Sequence, residues 1–158
     1  MARVLGTEIF SIVVAGIVGL MLLNARRAPE LTIDTSDGCI VIRLHGWDVL
    51  YCFRRRIVLA LQSVESVYVS RLDLIPIEGL RWPGTGFPGL IRAGSYRTAT
   101  ARDFWDVRTG HEALVIETRP GGEFRRVILE LADARSEALR LRSLVRRAGE
   151  ERLPRTEP

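Results

Sequence analysis

The sequence predicts a mainly β domain that ends in an amphipathic helix and is preceded by an apolar amino-terminal helix. Three observations lead there. From Leu31 to Leu131, short runs alternate apolar and polar side chains between Gly, Pro and Asp turn signals. From Ala134 the apolar spacing changes to i, i+3/i+4. The run Ile9 to Leu23 holds no charged residue, with Arg3 before it and Arg26-Arg27 after it.

That run is expected to cross a membrane. Its fifteen residues rise about 22 Å as a helix, short of the roughly 30 Å hydrocarbon core. Starting at Val4 gives twenty residues and about 30 Å, and brings in Glu8. The ten Ile, Val, Leu and Phe residues favour insertion by roughly 3–6 kcal/mol, against about 3 kcal/mol for a mid-membrane carboxylate. Glu8 sits at the edge, so residues 4–24 are read as a transmembrane helix. A cleaved signal peptide fits less well, because Leu23-Asn24-Ala25 has no small residue at the −3 position and Arg26-Arg27 follow where a cleavage site wants small neutral residues. One basic residue before the span and two after it bias the carboxyl side inward. The expectation is a single pass through the cytoplasmic membrane with the domain in the cytoplasm.

Residues 31–149 then form one domain long enough to bury a core, and 150–158 a polar, flexible tail. The net charge is +4, and all 23 basic residues are arginine. Arginine suits phosphate and carboxylate, but genome composition explains the bias as well. Cys39 and Cys52, the two cysteines, lie among apolar neighbours and read as reduced core residues.

Leu31 to Ser36 and Cys39 to Leu44 alternate as strands, and Asp37-Gly38 suits a tight hairpin turn. Trp47, Leu50 and Tyr51 have helical spacing before Arg54-Arg55-Arg56. Ile57 to Leu61 and Val64 to Val69 read as strands broken at Gln62-Ser63. Arg81 to Gly94, rich in Gly and Pro, reads as a long ordered loop. Further strands are read at Ser95 to Ala99, Phe104 to Arg108, Ala113 to Arg119 and Phe124 to Leu131. Asp133 is a good N-cap for the last helix, and Gly149 a good stop. Six or seven antiparallel strands and one helix suggest a small barrel or split sandwich capped by that helix.

The block Arg81-Trp-Pro-Gly-Thr-Gly-Phe-Pro-Gly89, then Gly94-Ser-Tyr96, then Asp103-Phe-Trp-Asp-Val107 resembles bacterial PH-like (pleckstrin-homology-like) proteins. The closing Val127 to Asp133 segment, leading into a helix, resembles them too. The family pattern is R-x-P-G-T-x-x-P-G, G-x-(Y/F) and F-W-x-V, and the likeness runs from about Leu31 to Val145. It implies a PH-like split barrel of two nearly orthogonal antiparallel sheets, one end plugged by the carboxyl-terminal helix. The motif residues Arg81, Pro83, Gly84, Thr85, Pro88, Gly89, Gly94, Tyr96, Phe104 and Trp105 then serve the structure. Fold-level likeness alone assigns no function.

The glycine-rich loop is no phosphate cradle, since a P-loop needs a lysine and the chain has none. Trp82, Phe87 and Tyr96 are expected to pack against the barrel wall, and Phe104-Trp105 to serve cores on two faces. Arg54, Arg55 and Arg56 read either as a solvated turn or as a patch for a partner or anionic lipid headgroups. His45 and His111 have no second histidine at metal-binding spacing, and no serine or cysteine sits in a nucleophile motif. The arginines are spread along the chain without an RNA-binding signature. No enzyme activity, cofactor, metal or nucleic acid is expected. The expected role is a membrane-anchored PH-like module that binds a protein partner or assembles with itself. The alternative is a sensor of anionic lipid or a small ligand.

Overall fold

Asp37 and Gly38 both take left-handed backbone angles (φ 52° and 69°), the conformation of a two-residue hairpin turn. They join β1 (Leu31–Ser36) to β2 (Cys39–Leu44), which pair antiparallel with Ser36 opposite Cys39. In this computed structural model the described residues are 2–24, 26–87, 90–108 and 110–150. Helix α1 (Ala2–Asn24) precedes the hairpin, and α2 (Gly46–Cys52) follows it. The remaining strands are β3 (Arg56–Ala60), β4 (Val64–Arg71), β5 (Leu80–Phe87), β6 (Ile91–Arg97), β7 (Arg102–Val107), β8 (Glu112–Thr118) and β9 (Arg126–Leu129). Helix α3 (Ala134–Glu150) closes the described fold.

The strands make two separate sheets. One has the order β1-β2-β3, the other β4-β8-β9-β7-β6-β5. This corrects the expected PH-like split barrel. No barrel closes, and β7 and β9 pair parallel, so the arrangement is not purely antiparallel. The chain passes from β3 into β4 by a single turn over Leu61–Ser63, and that turn moves it from one sheet to the other. The result is an open sandwich.

Between the sheets, Ile40, Ile42, Ile57 and Leu59 of the smaller sheet share a core with Phe104, Leu114, Ile116, Val127 and Leu129 of the larger. Ala138 and Leu141 of α3 complete it from the side. Arg140 Nη2 of α3 donates to the Ile33 carbonyl of edge strand β1 (3.1 Å), and Arg142 Nε donates to Val67 O of edge strand β4. The helix therefore spans the gap between two edges that do not pair. Asp133 caps it: Ser136 N–H donates to Asp133 Oδ1 (3.0 Å), which holds that carboxyl below its usual range. Gly149 lies inside the helix and does not stop it. Residues 151–158, most of the expected tail, lie outside the described residues.

The outer face of the large sheet carries a second core. Tyr96, Trp105, Val107, Val115 and Ile128 pack under Leu72 and Ile75. Alternation along β7 explains both cores: Phe104 points to the first and Trp105 to the second.

The Gly- and Pro-rich segment is a hairpin, not a long loop. β5 pairs with β6 in register Arg81↔Tyr96 and Gly84↔Gly94, with an irregularity between Arg81 and Gly84 that includes Pro83. β5 is an edge strand, where a proline costs no ladder bond on its open side.

Helix α1 forms, but it corrects the expected membrane span. Among the described residues no helix is long and apolar enough to cross a membrane. The uncharged part of α1, residues 9–24, is sixteen residues long, about 24 Å of rise, and lengthening it takes in Glu8. The transmembrane helix and the single-pass placement in the cytoplasmic membrane fall with it.

Two glycines provide a test of the hairpin geometry. Gly79, at φ +84°, precedes β5, and a Cβ there would press on the carbonyl of Arg97. Gly121, at φ +99°, has open space around it. Gly121→Ala is expected to cost about 1–2 kcal/mol from its backbone angle alone. Gly79→Ala should cost more, because backbone must also move, and urea unfolding of both variants checks the order.

Candidate interaction surface

Helix α2 turns a different face inward from the one its spacing suggests. Asp48, Tyr51 and Cys52 are buried, while Leu50 is 45% exposed. A carboxylate goes inside only if charges and donors meet it there. Asp48 finds both. Its Oδ2 accepts the Glu30 N–H at 2.6 Å, and its Oδ1 pairs with Arg108 Nη2.

Arg108 follows β7 and is itself buried. Its guanidinium also reaches Asp106 Oδ1 (3.4 Å) and lies over the Tyr51 ring, 4.8 Å from the centroid. Its backbone N–H donates to Glu130 Oε2 (2.6 Å), which also accepts from Gly110 N–H (3.1 Å). Gly110 has no Cβ, and the Glu130 carboxylate fills the space where one would lie.

This cluster is short of hydrogen bonds. Asp106 Oδ2 and Arg108 Nε have no partner among the described residues. Burial pushes the Asp106 carboxyl up to about 8, with the Glu130 charge adding to the rise and a hydrogen bond from Cys52 opposing it. Burial also lowers Arg108 to about 10, a shift the Glu130 charge opposes. The Cys52 thiol is raised well above its usual value, first by burial and then by Asp106. A thiol so raised is a poor nucleophile. Cys39 is the other free cysteine.

Above the cluster sits the base of α1. The Tyr51 hydroxyl donates to the Met21 carbonyl at 2.8 Å, and the Met21 side chain packs on the sandwich core. Trp47 stacks on Tyr51 at 6.3 Å between ring centroids. The Glu30 carbonyl accepts from His45 N–H (2.8 Å), so both backbone polar groups of Glu30 are tied to the start of α2. Asp48, Tyr51 and Arg108 thus build a socket that fixes where α1 leaves the domain.

Beyond the socket, the apolar side chains described along α1 are uncovered. Phe10, Ile12, Val13, Val14, Ile17, Val18, Leu20 and Leu23 are all exposed, Phe10 and Ile12 to 70%. At about 100° per residue these side chains surround the helix. A helix apolar on every side is normally covered. Gly16 and Gly19 have nothing within 4 Å of a Cβ position, so the backbone itself is open there.

The other predicted residues lie apart. Arg54 makes a two-point pair with Glu123 (2.6 and 3.0 Å) and lies over the Phe124 ring. Arg102 reaches the same Glu123 at 3.2 Å. Arg55 and Arg56 are exposed, and Arg56 stands opposite Arg43 across β2 and β3. Of the motif residues, Phe104 and Trp105 are fully buried, and Tyr96 packs edge-on against Trp105 at 6.0 Å. Gly94 pairs with Trp105 at φ +122°. Arg81 is exposed and lies across Gly86, where no Cβ intervenes. Pro83, Gly84 and Thr85 belong to β5, with Thr85 opposite Ala93. Pro88 and Gly89 lie outside the described residues. Trp82, expected against the barrel wall, is 71% exposed because the edge strand has no wall beside it. Among the described residues, no three His, Cys, Asp or Glu side chains are placed to hold a metal ion.

No protein-family model matches the chain, and no curated protein or solved structure matches it. The resemblance to PH-like proteins is therefore corrected by the comparison as well as by the fold. With it goes the membrane-anchored PH-like module.

The socket was missed from sequence. Asp48 falls within a helical turn and Asp106 within a strand, and neither spacing says which polar residue points inward. The signal available was Asp106 and Arg108 at i, i+2 on one face of a strand.

The raised carboxyl has a stability consequence. Asp106 keeps its proton in the folded state up to about pH 8, whereas the unfolded chain loses it near 3.8, the ordinary value for an aspartate. Its contribution is fully present below about pH 4 and is lost as pH rises towards 8. Asp106→Asn should remove that part of the fall, and unfolding curves of both proteins between pH 5 and 9 check it.

Proposed function

We propose that the chain is a protein-interaction module, not an enzyme, that docks through α1 against an apolar helix of another polypeptide. One observation carries this reading: a helix fixed at its base by the socket, with the apolar side chains of Phe10, Ile12, Val13, Val14, Ile17, Val18 and Leu20 exposed. Apolar surface of that extent on one element marks a contact site.

The magnitudes say what kind of contact. Full burial of such a side chain gives roughly 1.5–3 kcal/mol, so eight half-exposed ones offer on the order of 8 kcal/mol. Losing translational and rotational freedom costs about 4–15 kcal/mol. Apolar area alone is marginal, so close backbone approach has to add packing. Ala15, Gly16 and Gly19 allow that approach.

The partner can be sought in the full-length chain with a photoreactive residue at Ile12 or Ile17, both exposed. Irradiation in cells is expected to give a protein adduct of discrete mass from these positions and none from exposed Leu139 on α3. Adducts to phospholipid alone, or equal labelling from all three positions, contradict the reading.

A further inference from the structure

We infer that one end of the large sheet binds a nucleotide, its base laid on Trp82 and its phosphates held by Arg97 and Arg119. Charge at that end is unbalanced. Arg97, the last residue of β6, stands directly opposite Arg102, the first of β7. Like charges so placed repel. Glu123 relieves Arg102 at 3.2 Å and takes Arg54 as well. Arg97 is exposed and has no carboxylate partner among the described residues. The same is true of Arg119, which follows β8 at the same end of the sheet.

The shape there suits a ligand. A cleft of about 790 Å³ between the β6–β7 and β8–β9 turns has four arginines on its walls, Arg97, Arg102, Arg119 and Arg125, against Glu65 and Glu123. A second hollow of about 690 Å³ shares Arg97 with the cleft and runs on to Trp82. Both volumes fall in the range of small-molecule sites. The turn between them is held in place, with Ala101 N–H donating to Thr98 Oγ1 and Thr98 N–H to Ala101 O, each at 2.9 Å.

Trp82 decides the class of anion. Its ring is 71% exposed and lines the hollow beside Arg97. An open aromatic face takes a base by stacking. The planar arginine fork takes phosphate oxygens two at a time. Strand order sets these groups in sequence: Trp82 on β5, Arg97 on the neighbouring β6, and Arg119 beyond β7 and β9. The base therefore sits at the sheet edge and the phosphates run inward to the arginines. One ring offers a seat for one base, which fits a single nucleotide with a chain of phosphates.

Calorimetric titration of the full-length chain with ADP, adenosine and pyrophosphate tests the site. ADP is expected to bind more tightly than either fragment. Trp82→Ala should weaken ADP about tenfold and leave pyrophosphate unchanged. Arg97→Ala and Arg119→Ala should each weaken ADP and pyrophosphate alike, about tenfold. The thermal midpoint should stay constant in all three variants, since the two arginines have no partner to lose and Trp82 is exposed. Pyrophosphate bound as tightly as ADP overturns the seat for the base. Tighter binding of single-stranded oligothymidine than of ADP overturns the nucleotide in favour of nucleic acid. ADP binding that is absent, or that the variants leave intact, overturns the site.

Discussion

A buried arginine sets the geometry that the rest of this molecule depends on. Arg108 is enclosed between Asp48 of α2 and Asp106 of β7, with the Tyr51 ring beneath its guanidinium. Removing Asp48 or Arg108 alone strands the other's charge in an apolar interior, which costs about 3–5 kcal/mol. Arg108 thereby locks α2 against the large sheet, and α2 in turn presents Tyr51 to the Met21 carbonyl and Asp48 to the Glu30 amide. The amino-terminal helix leaves the sandwich where it does because this charge cluster leaves α2 no other seat.

The molecule thus divides into two parts with different energetics. The sandwich is self-sufficient: two cores lie on the two faces of the six-stranded sheet, and α3 bridges the unpaired edges β1 and β4. Helix α1 draws almost nothing from that packing beyond Met21. Helices in proteins owe most of their stability to a packed face, and among the described side chains of α1 the one packed on the core is Met21.

The strands with clean alternation were legible in the sequence. β1 and β2 fall where their patterns place them, and Asp37-Gly38 turns between them as its chemistry demands. The cap at Asp133 was equally plain. Two features were not legible. Sheet membership depends on contacts far apart in sequence, so the parallel β7–β9 pair and the split into separate sheets left no local mark. The β5–β6 hairpin was hidden because glycine and proline ordinarily signal loops, and only an edge strand tolerates them. At the candidate surface, the apolar run of α1 was evident, but its environment was misjudged. The socket beneath it was invisible, since a buried Asp48 and an exposed one look alike in a seven-residue helix.

Amide hydrogen exchange in the full-length chain and its Arg108→Met variant tests the central claim most directly. If the buried arginine fixes the seat of α2 and the base of α1, the amides of α2 and those beside Met21 exchange faster in the variant, while those of β1 and β2 stay constant. Equal exchange of α2 and of the base of α1 in the two proteins contradicts the account.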